Sequence, residues 1–373
     1  MQTPRPNAAP DSDPLEIFQQ MDQSRQMQGS ALASLGFTPA SKPYTTVLAL
    51  PGVELRRYGE NGVGPPLMLV PAPIKRSYIW DLTPESSVVR HSLEAGLDVF
   101  LVDWQNPDGE AGAFGLADYA DRLLLACADA VSGLTGRDRV AIAGHSLGGT
   151  FAAIFATLHP ERASALALLA SPLCFGRGVG IFGEAVAGTR GQGALAPGPG
   201  SVPGSLLSTA SLLASPDTFG WERIMDWYQS MADPQALRVH LLVERWALDE
   251  APMARPLFRE VAEWLCLEDR FMQGALSLNG NRALPANLTA PLLAVADKRC
   301  RVVPPAAVLP FVEAAASADK RVLWYEGDVG VGLQHVGVLV GRSAHRTLWP
   351  QILEFLRAHA PGDMPRPKAA KRS

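Results

Sequence analysis

Ser146 stands in the run VAIAGHSLGGT (Val140–Thr150), between glycines at 144 and 148. A Gly-x-Ser-x-Gly box set between a strand and a helix presents a nucleophilic serine on a tight, strained turn above a sheet. Gly144 and Gly148 leave room where a side chain would collide with the neighbouring strand or helix. The helix that starts behind Ser146 offers free N–H groups and a partial positive charge to a developing oxyanion. An oxyanion hole needs two donors, and the amide of Leu147 is the first. The second is expected from the loop PAPIKR, after the apolar run Pro66–Val70. Pro71 and Pro73 have no N–H, which leaves Ala72 and Ile74, and Ile74 is the expected donor.

A serine hydroxyl is a weak nucleophile and needs a general base within hydrogen-bond reach. The chain has seven histidines. His91, His159, His345 and His359 fall within or at the ends of expected helices and read as surface residues. His145 flanks the nucleophile but is turned elsewhere by the tight bend, and His240 reads as structural. His335 stands apart in VGLQHVGVLVG, a glycine-rich stretch after the last expected strand. It also comes after Ser146, as the base does in the chain order of the α/β-hydrolases. His335 is the expected base.

These residues need a scaffold, and the sequence spells one. PLMLV, DVFLVDW, RVAIAG and ALALLA are short continuous apolar runs separated by helical spacings, the pattern of a parallel sheet covered on both faces. The alternation stops after Ala170, where a Gly/Pro-rich stretch (188–205) and about eighty helical residues follow. It resumes at PLLAVA and RVLWYE, and TLWPQILEFLRAHA closes the chain as a helix. The expected fold is an α/β-hydrolase: a mainly parallel sheet flanked by helices, with a helical cap above the sheet edge where ligands bind. The expected boundaries are a segment over 1–44 that is mobile or a loose helix, core over 45–171, cap over 172–287, core again over 288–358 and a mobile basic tail over 359–373.

Composition narrows the class further. Apolar residues at 47% and charged residues at 19% describe a globular chain. A net charge of −4 and a pI near 6 give no reason to expect a nucleic-acid partner. No apolar run approaches the ~20 residues that span a bilayer, and the first residues lack the apolar stretch of a secretory signal. The four cysteines, Cys127, Cys174, Cys266 and Cys300, show no metal-ligand spacing. A cytoplasmic enzyme with free thiols, no metal and no cofactor is expected.

At this point the chain resembles the polyhydroxyalkanoate synthases, and most closely the shorter type that works with a partner subunit. The resemblance rests on YIWDLTPESSVVRHSLEAGLDVFLVDWQNPD, the box around Ser146, VERWALDEAP, NLTAPLLAVA, VVPP and HVGVLVG, in order from about residue 45 to 358. It implies an α/β-hydrolase core with a cap, transfer of hydroxyacyl groups from coenzyme A to a growing polyester, and a Cys–Asp–His triad. Two positions depart from that pattern. Ser146 replaces the nucleophilic cysteine, and in ungapped register Cys300 occupies the place of the acid, with Asp297 three residues earlier. Asp297 lies just past a strand end, where a hydrolase acid belongs, and is the expected third member of the triad. Asp328 is the alternative, and a chain with no acid at all is the third.

The serine changes the energetics. On cysteine an acyl group from coenzyme A stays a thioester and keeps its transfer potential. On serine it becomes an oxyester, so transfer to another hydroxyl is nearly isoenergetic while release to water stays favourable. The leading expectation is a serine acyl-enzyme hydrolase or acyltransferase acting on hydroxyacyl esters or coenzyme A thioesters. The alternatives are a polymerising synthase and a non-catalytic subunit that binds a synthase or a granule. A partner subunit, a homodimer and a polyester granule surface are the associations the resemblance admits.

Overall fold

The computed structural model describes residues 15–59, 64–176 and 197–360, together with 179–181, 183 and 185–186. The expected basic tail lies mostly outside them, at 361–373. The core is an eight-stranded sheet in the order β1-β2-β4-β3-β5-β6-β11-β12. Its strands are β1 (Tyr44–Leu50), β2 (Val53–Tyr58), β3 (Pro66–Val70), β4 (Asp98–Trp104), β5 (Val140–His145), β6 (Ala163–Leu169), β11 (Leu292–Ala296) and β12 (Lys320–Trp324). β1 and β2 pair antiparallel, β2 meets β4 antiparallel, and every pairing from β4 through β12 is parallel.

The central strands are apolar because both faces are covered. β3, β5, β6 and β11 are buried at every position. Their side chains alternate between the two layers. Met68, Ile142, Leu166 and Leu168 face the helices Leu123–Thr135 and Leu147–Leu158. Ala141, Ala143, Ala165 and Ala167 face the other way, where Trp349 and Phe355 of the last helix fill the space that alanine leaves. Large side chains opposite small ones let both layers close without voids.

Between β6 and β11 the chain builds the cap from helices Gly204–Ala214, Glu222–Ser230, Pro234–Leu248 and Arg255–Glu260. Two short antiparallel pairings, β7 (Ser201–Val202) with β8 (Met253–Ala254) and the hairpin of β9 (Ser277–Leu278) with β10 (Asn281–Arg282), tie its ends.

Of the two expectations for the N-terminal segment, a mobile stretch or a loose helix, the described part is helical: Glu16–Ser34 form a nineteen-residue helix, while residues 1–14 lie outside the described part. The helix carries little apolar periodicity because polar contacts with the cap hold it. Asp22 accepts the amides of Ser205 and Gly204 at 2.7 and 3.1 Å. Those amides begin a cap helix, where free N–H groups and the helix dipole favour a carboxylate. Arg25 and Gln26 reach residues 247–250 at the end of the third cap helix.

Candidate active site

Ser146 sits between the end of β5 and the helix Leu147–Leu158, with φ 54° and ψ −134°. That left-handed backbone costs a non-glycine residue of order 1–3 kcal/mol. The surroundings hold it there. Its amide donates to Leu169 O at 3.0 Å, and its carbonyl accepts the amides of Gly149 and Thr150. A Cβ on Gly148 would overlap the carbonyls of Val70 and Pro71, and one on Gly149 would overlap the Ser171 hydroxyl. The loop after β3 therefore runs directly against the start of the nucleophile helix. Trp104 Nε1 fixes that loop by donating to Pro71 O at 2.8 Å. Ala72 and Ile74 of the same loop line one cavity with Ser146. As the first amide of its helix, Leu147 N–H has no intrahelical acceptor.

The base expected from the sequence lies against this serine. His335 Nε2 is 2.9 Å from Ser146 Oγ, and both residues are buried. Burial, and secondarily the neighbouring His145, hold the His335 imidazole well below the usual histidine value of 6.5. It is therefore a neutral ring at pH 7, able to accept a proton from the hydroxyl.

The acid expected behind it is elsewhere. Asp297 is buried, but its carboxylate accepts the amide of Arg299 at 2.8 Å. The Asp328 carboxylate takes the Tyr325 hydroxyl and the amide and hydroxyl of Ser343, so it anchors the last helical region. No hydrogen bond joins either carboxylate to His335 among the described residues. The outer nitrogen of His335, Nδ1, instead meets Cys300 Sγ at 4.0 Å. The turn after β11 explains this: Asp297 folds back on its own loop, and Cys300 is the residue carried toward the histidine.

Two features of the site escaped the sequence reading. His145, expected to turn away, is buried beside His335 with ring centroids 4.8 Å apart. Its Nε2 lies 2.9 Å from His335 O, so it ties the base's backbone to the nucleophile strand. The second feature is the buried charge cluster of Glu250. Lys75 Nζ donates to Glu250 Oε2 at 2.6 Å, Arg25 Nε to Oε1 at 2.8 Å and Ser208 Oγ to Oε1 at 2.8 Å. A backbone bridge also joins Lys75 to Glu250. Lys75 follows Ile74, so a cap carboxylate anchors the loop beside the nucleophile.

A cap carboxylate also holds the loop of the base. Asp226, on the second cap helix, accepts the amides of Gly330 and Gly332, each at 2.8 Å. Its Oδ2 also pairs with His240 Nδ1 at 2.7 Å. The structural role expected for His240 is this contact.

The cavity above Ser146 measures about 340 Å³ and is mainly apolar, with Ile79, Trp80, Leu207, Phe219 and Trp246 among its walls. A second cavity of about 570 Å³ lies on the far side of His335 and reaches Cys300, Asp297, Arg299 and Arg301. No cluster of three or more metal-ligating side chains occurs among the described residues. No described helix is long and apolar enough to cross a membrane.

The histidine expected on the surface at position 345 is buried and shares a short contact with His91, Nδ1 to Nδ1 at 2.8 Å. Burial is the main cause that lowers its pKa to about 3, and burial lowers that of His145 to about 4. In the unfolded chain both rings take up a proton near pH 6.5. Between pH 6.5 and these lower values the unfolded state thus binds more protons than the native one, and stability falls with pH. Each ring contributes a loss of up to about 1.4 kcal/mol per pH unit across that window. Denaturant unfolding at pH 7 and pH 5 is expected to show a clear drop, and equal stabilities would contradict it.

Residues 65–195 match the family model described as alpha/beta hydrolase fold, and the strand order and turn geometry agree with it. The chain has the α/β-hydrolase fold. It is 30% identical over 302 residues to a poly(3-hydroxyalkanoate) polymerase subunit of Haloarcula marismortui, covering 80% of its own length and 62% of the relative. The chain thus spans about three-fifths of that protein. It is 26% identical to the corresponding subunit of Allochromatium vinosum, with 78% of this chain and 80% of that one covered. Among solved structures, a monoacylglycerol lipase of Paleococcus ferrophilus superposes with a TM-score of 0.54 at 15% identity, covering 83% of this chain and 99% of the lipase.

Proposed function

We propose that this chain is a polyhydroxyalkanoate-synthase-like acyl-transferring enzyme that works through a serine acyl-enzyme. Its substrates would be hydroxyacyl esters or hydroxyacyl coenzyme A thioesters. The observation that carries the reading is the 2.9 Å contact between His335 Nε2 and Ser146 Oγ at a strained strand–helix turn. In the first step Oγ attacks the acyl carbonyl as Nε2 takes its proton. The amides of Leu147 and Ile74 would receive the negative charge on the carbonyl oxygen. The bond to the leaving thiol or alcohol then breaks, and His335 returns the proton to it. In the second step water, or the hydroxyl of another hydroxyacyl group, attacks the serine ester with His335 again as base.

Water as acceptor makes the protein a hydrolase, and a hydroxyl makes it an acyltransferase. The similarity to polymerase subunits over four-fifths of the chain equally favours a second reading, a synthase that polymerises 3-hydroxyacyl coenzyme A. A partner subunit, a second copy of this chain or a polyester granule surface would belong to that reading, in the cytoplasm. The thiol of Cys300 behind His335 is the observation on the side of a non-catalytic subunit, and the contact between His335 and Ser146 is the one against it.

A fluorophosphonate probe with intact-mass detection tests the common core of both readings. One adduct on Ser146 is expected, and its absence would overturn the proposal. Supplying 3-hydroxybutyryl coenzyme A then separates the two readings. Free 3-hydroxybutyrate as sole product supports the hydrolase, and insoluble polyester supports the synthase.

A further inference from the structure

Cys300 is placed like an acid but lacks its charge. Its Sγ is 4.0 Å from His335 Nδ1 and accepts the Val303 amide at 3.3 Å, and the Val302 amide also bears on it. Two backbone N–H groups converging on one side-chain atom make a cradle suited to an anion. A carboxylate oxygen in that cradle would accept both amides and leave its other oxygen for the Nδ1–H. Burial pushes the Cys300 thiol up to about 11, so the cradle holds a neutral S–H at pH 7. A neutral thiol is a weak acceptor and does nothing for the imidazolium that forms when His335 takes the serine proton.

We propose that Ser146 and His335 operate as a dyad in which Cys300 is a positioning residue standing where an acid would stand, and that a carboxylate at position 300 raises activity. The inference rests on the serine acyl-enzyme reading. Space favours the exchange, because aspartate is close to cysteine in size and the cavity of about 570 Å³ beside Cys300 admits water to a charged group. The ionisable groups around this corner are His145 at the end of β5, Asp297, Arg299 and Arg301 after β11, Glu222 and Asp226 from the cap, and Glu326 and Asp328 after β12. Arg299 and Arg301 favour an added carboxylate, and the five acidic residues oppose it. The cradle amides and the histidine ring give it hydrogen bonds that Asp297 does not have.

The test compares wild type, Cys300→Asp and Asp297→Asn by p-nitrophenyl butyrate hydrolysis, each over a range of pH. Removing the acid of a complete triad lowers kcat by about 10⁴-fold. The reverse exchange at a site not shaped for it is expected to raise kcat by about 10- to 10³-fold, with KM within about threefold. The acid limb of the pH profile should move upward, because a carboxylate on Nδ1 favours the charged ring. A substitution that merely altered packing would not produce that shift. Asp297→Asn should remain within about threefold of wild type, since an amide oxygen also accepts the Arg299 N–H. A hundredfold loss in Asp297→Asn would overturn the proposal and make Asp297 the acid. A folded Cys300→Asp with unchanged or lower kcat and an unmoved acid limb would also overturn it. If Cys300→Asp does not fold, the Asp297→Asn result decides. The fluorophosphonate adduct on wild type keeps the two levels apart: without it the serine reading falls, and with it only the role of Cys300 is at issue.

Discussion

Replacing Ser146 with alanine is expected to reduce hydrolysis of p-nitrophenyl butyrate by at least about 10³-fold, with the protein still folded. The size of the loss follows from what remains. His335 cannot substitute as nucleophile through the same trajectory, and the donors of an oxyanion hole alone retain only a small part of the rate. The fold should tolerate the change because Ser146 Oγ makes one hydrogen bond, to His335. The amide and carbonyl contacts that hold the turn belong to the backbone and survive. An alanine already takes a positive φ in this protein at Ala170, with φ 44°. A melting temperature close to wild type, together with loss of the fluorophosphonate adduct, would mark the effect as chemical. Activity within tenfold of wild type would exclude Ser146 as the nucleophile.

Glu250→Ala is expected to cost about 3–5 kcal/mol of folding stability, the largest structural effect of any single exchange near the site. The Glu250 side chain is fully buried, whereas Lys75 and Arg25 keep 17% and 28% of theirs exposed. Taking away the carboxylate leaves two cations in a half-buried position with no counter-charge. Burial lowers the Lys75 pKa even with Glu250 in place, so without it the lysine becomes easier to neutralise. The loss also unties the N-terminal helix from the cap and the Ile74–Lys75 loop from both. Glu250→Gln keeps hydrogen-bond acceptance without the charge and should fall between wild type and Glu250→Ala. Denaturant midpoints for the three proteins test this, and a Glu250→Ala as stable as wild type would refute it. Below its melting range Glu250→Ala should also lose kcat more than KM, because the loop it frees lies against the start of the nucleophile helix.

How legible these features were depends on how local their causes are. Ser146 was legible because its requirements are written in the next few residues: small neighbours, an apolar strand before and a helix after. His335 followed by elimination and chain order. The group behind it depended on the path of a turn, Asp297 to Val303, whose side-chain directions no periodicity encodes. Residue type favoured Asp297 over Cys300, and the backbone decided otherwise. His145 was misread for a related reason: the strained turn that presents Ser146 to the cavity turns its predecessor toward His335. The helix Glu16–Ser34 was legible only as a loose helix or a mobile stretch because contacts more than 180 residues away in sequence, to Gly204, Ser205 and Glu250, define it. The six parallel strands, built from local apolar runs, were readable one by one, whereas the antiparallel edge pair β1 and β2 carries no such run and was not.

The Asp226 carboxylate on the cap bears on how substrate gains entry. It grips the amides of Gly330 and Gly332, a few residues before His335, while Glu250 grips the loop on the opposite side of Ser146. The cap is thus fastened to the loop before His335 and to the loop beside Ser146, and does not rest on them as a separate shutter. Lifting it as one piece would pull on the base and on the loop beside the nucleophile together. An open cap and a correctly assembled site are then mutually exclusive arrangements. A ligand must enter past side chains at the cavity mouth, or else the protein must break the contact between Ser146 and His335 to admit it.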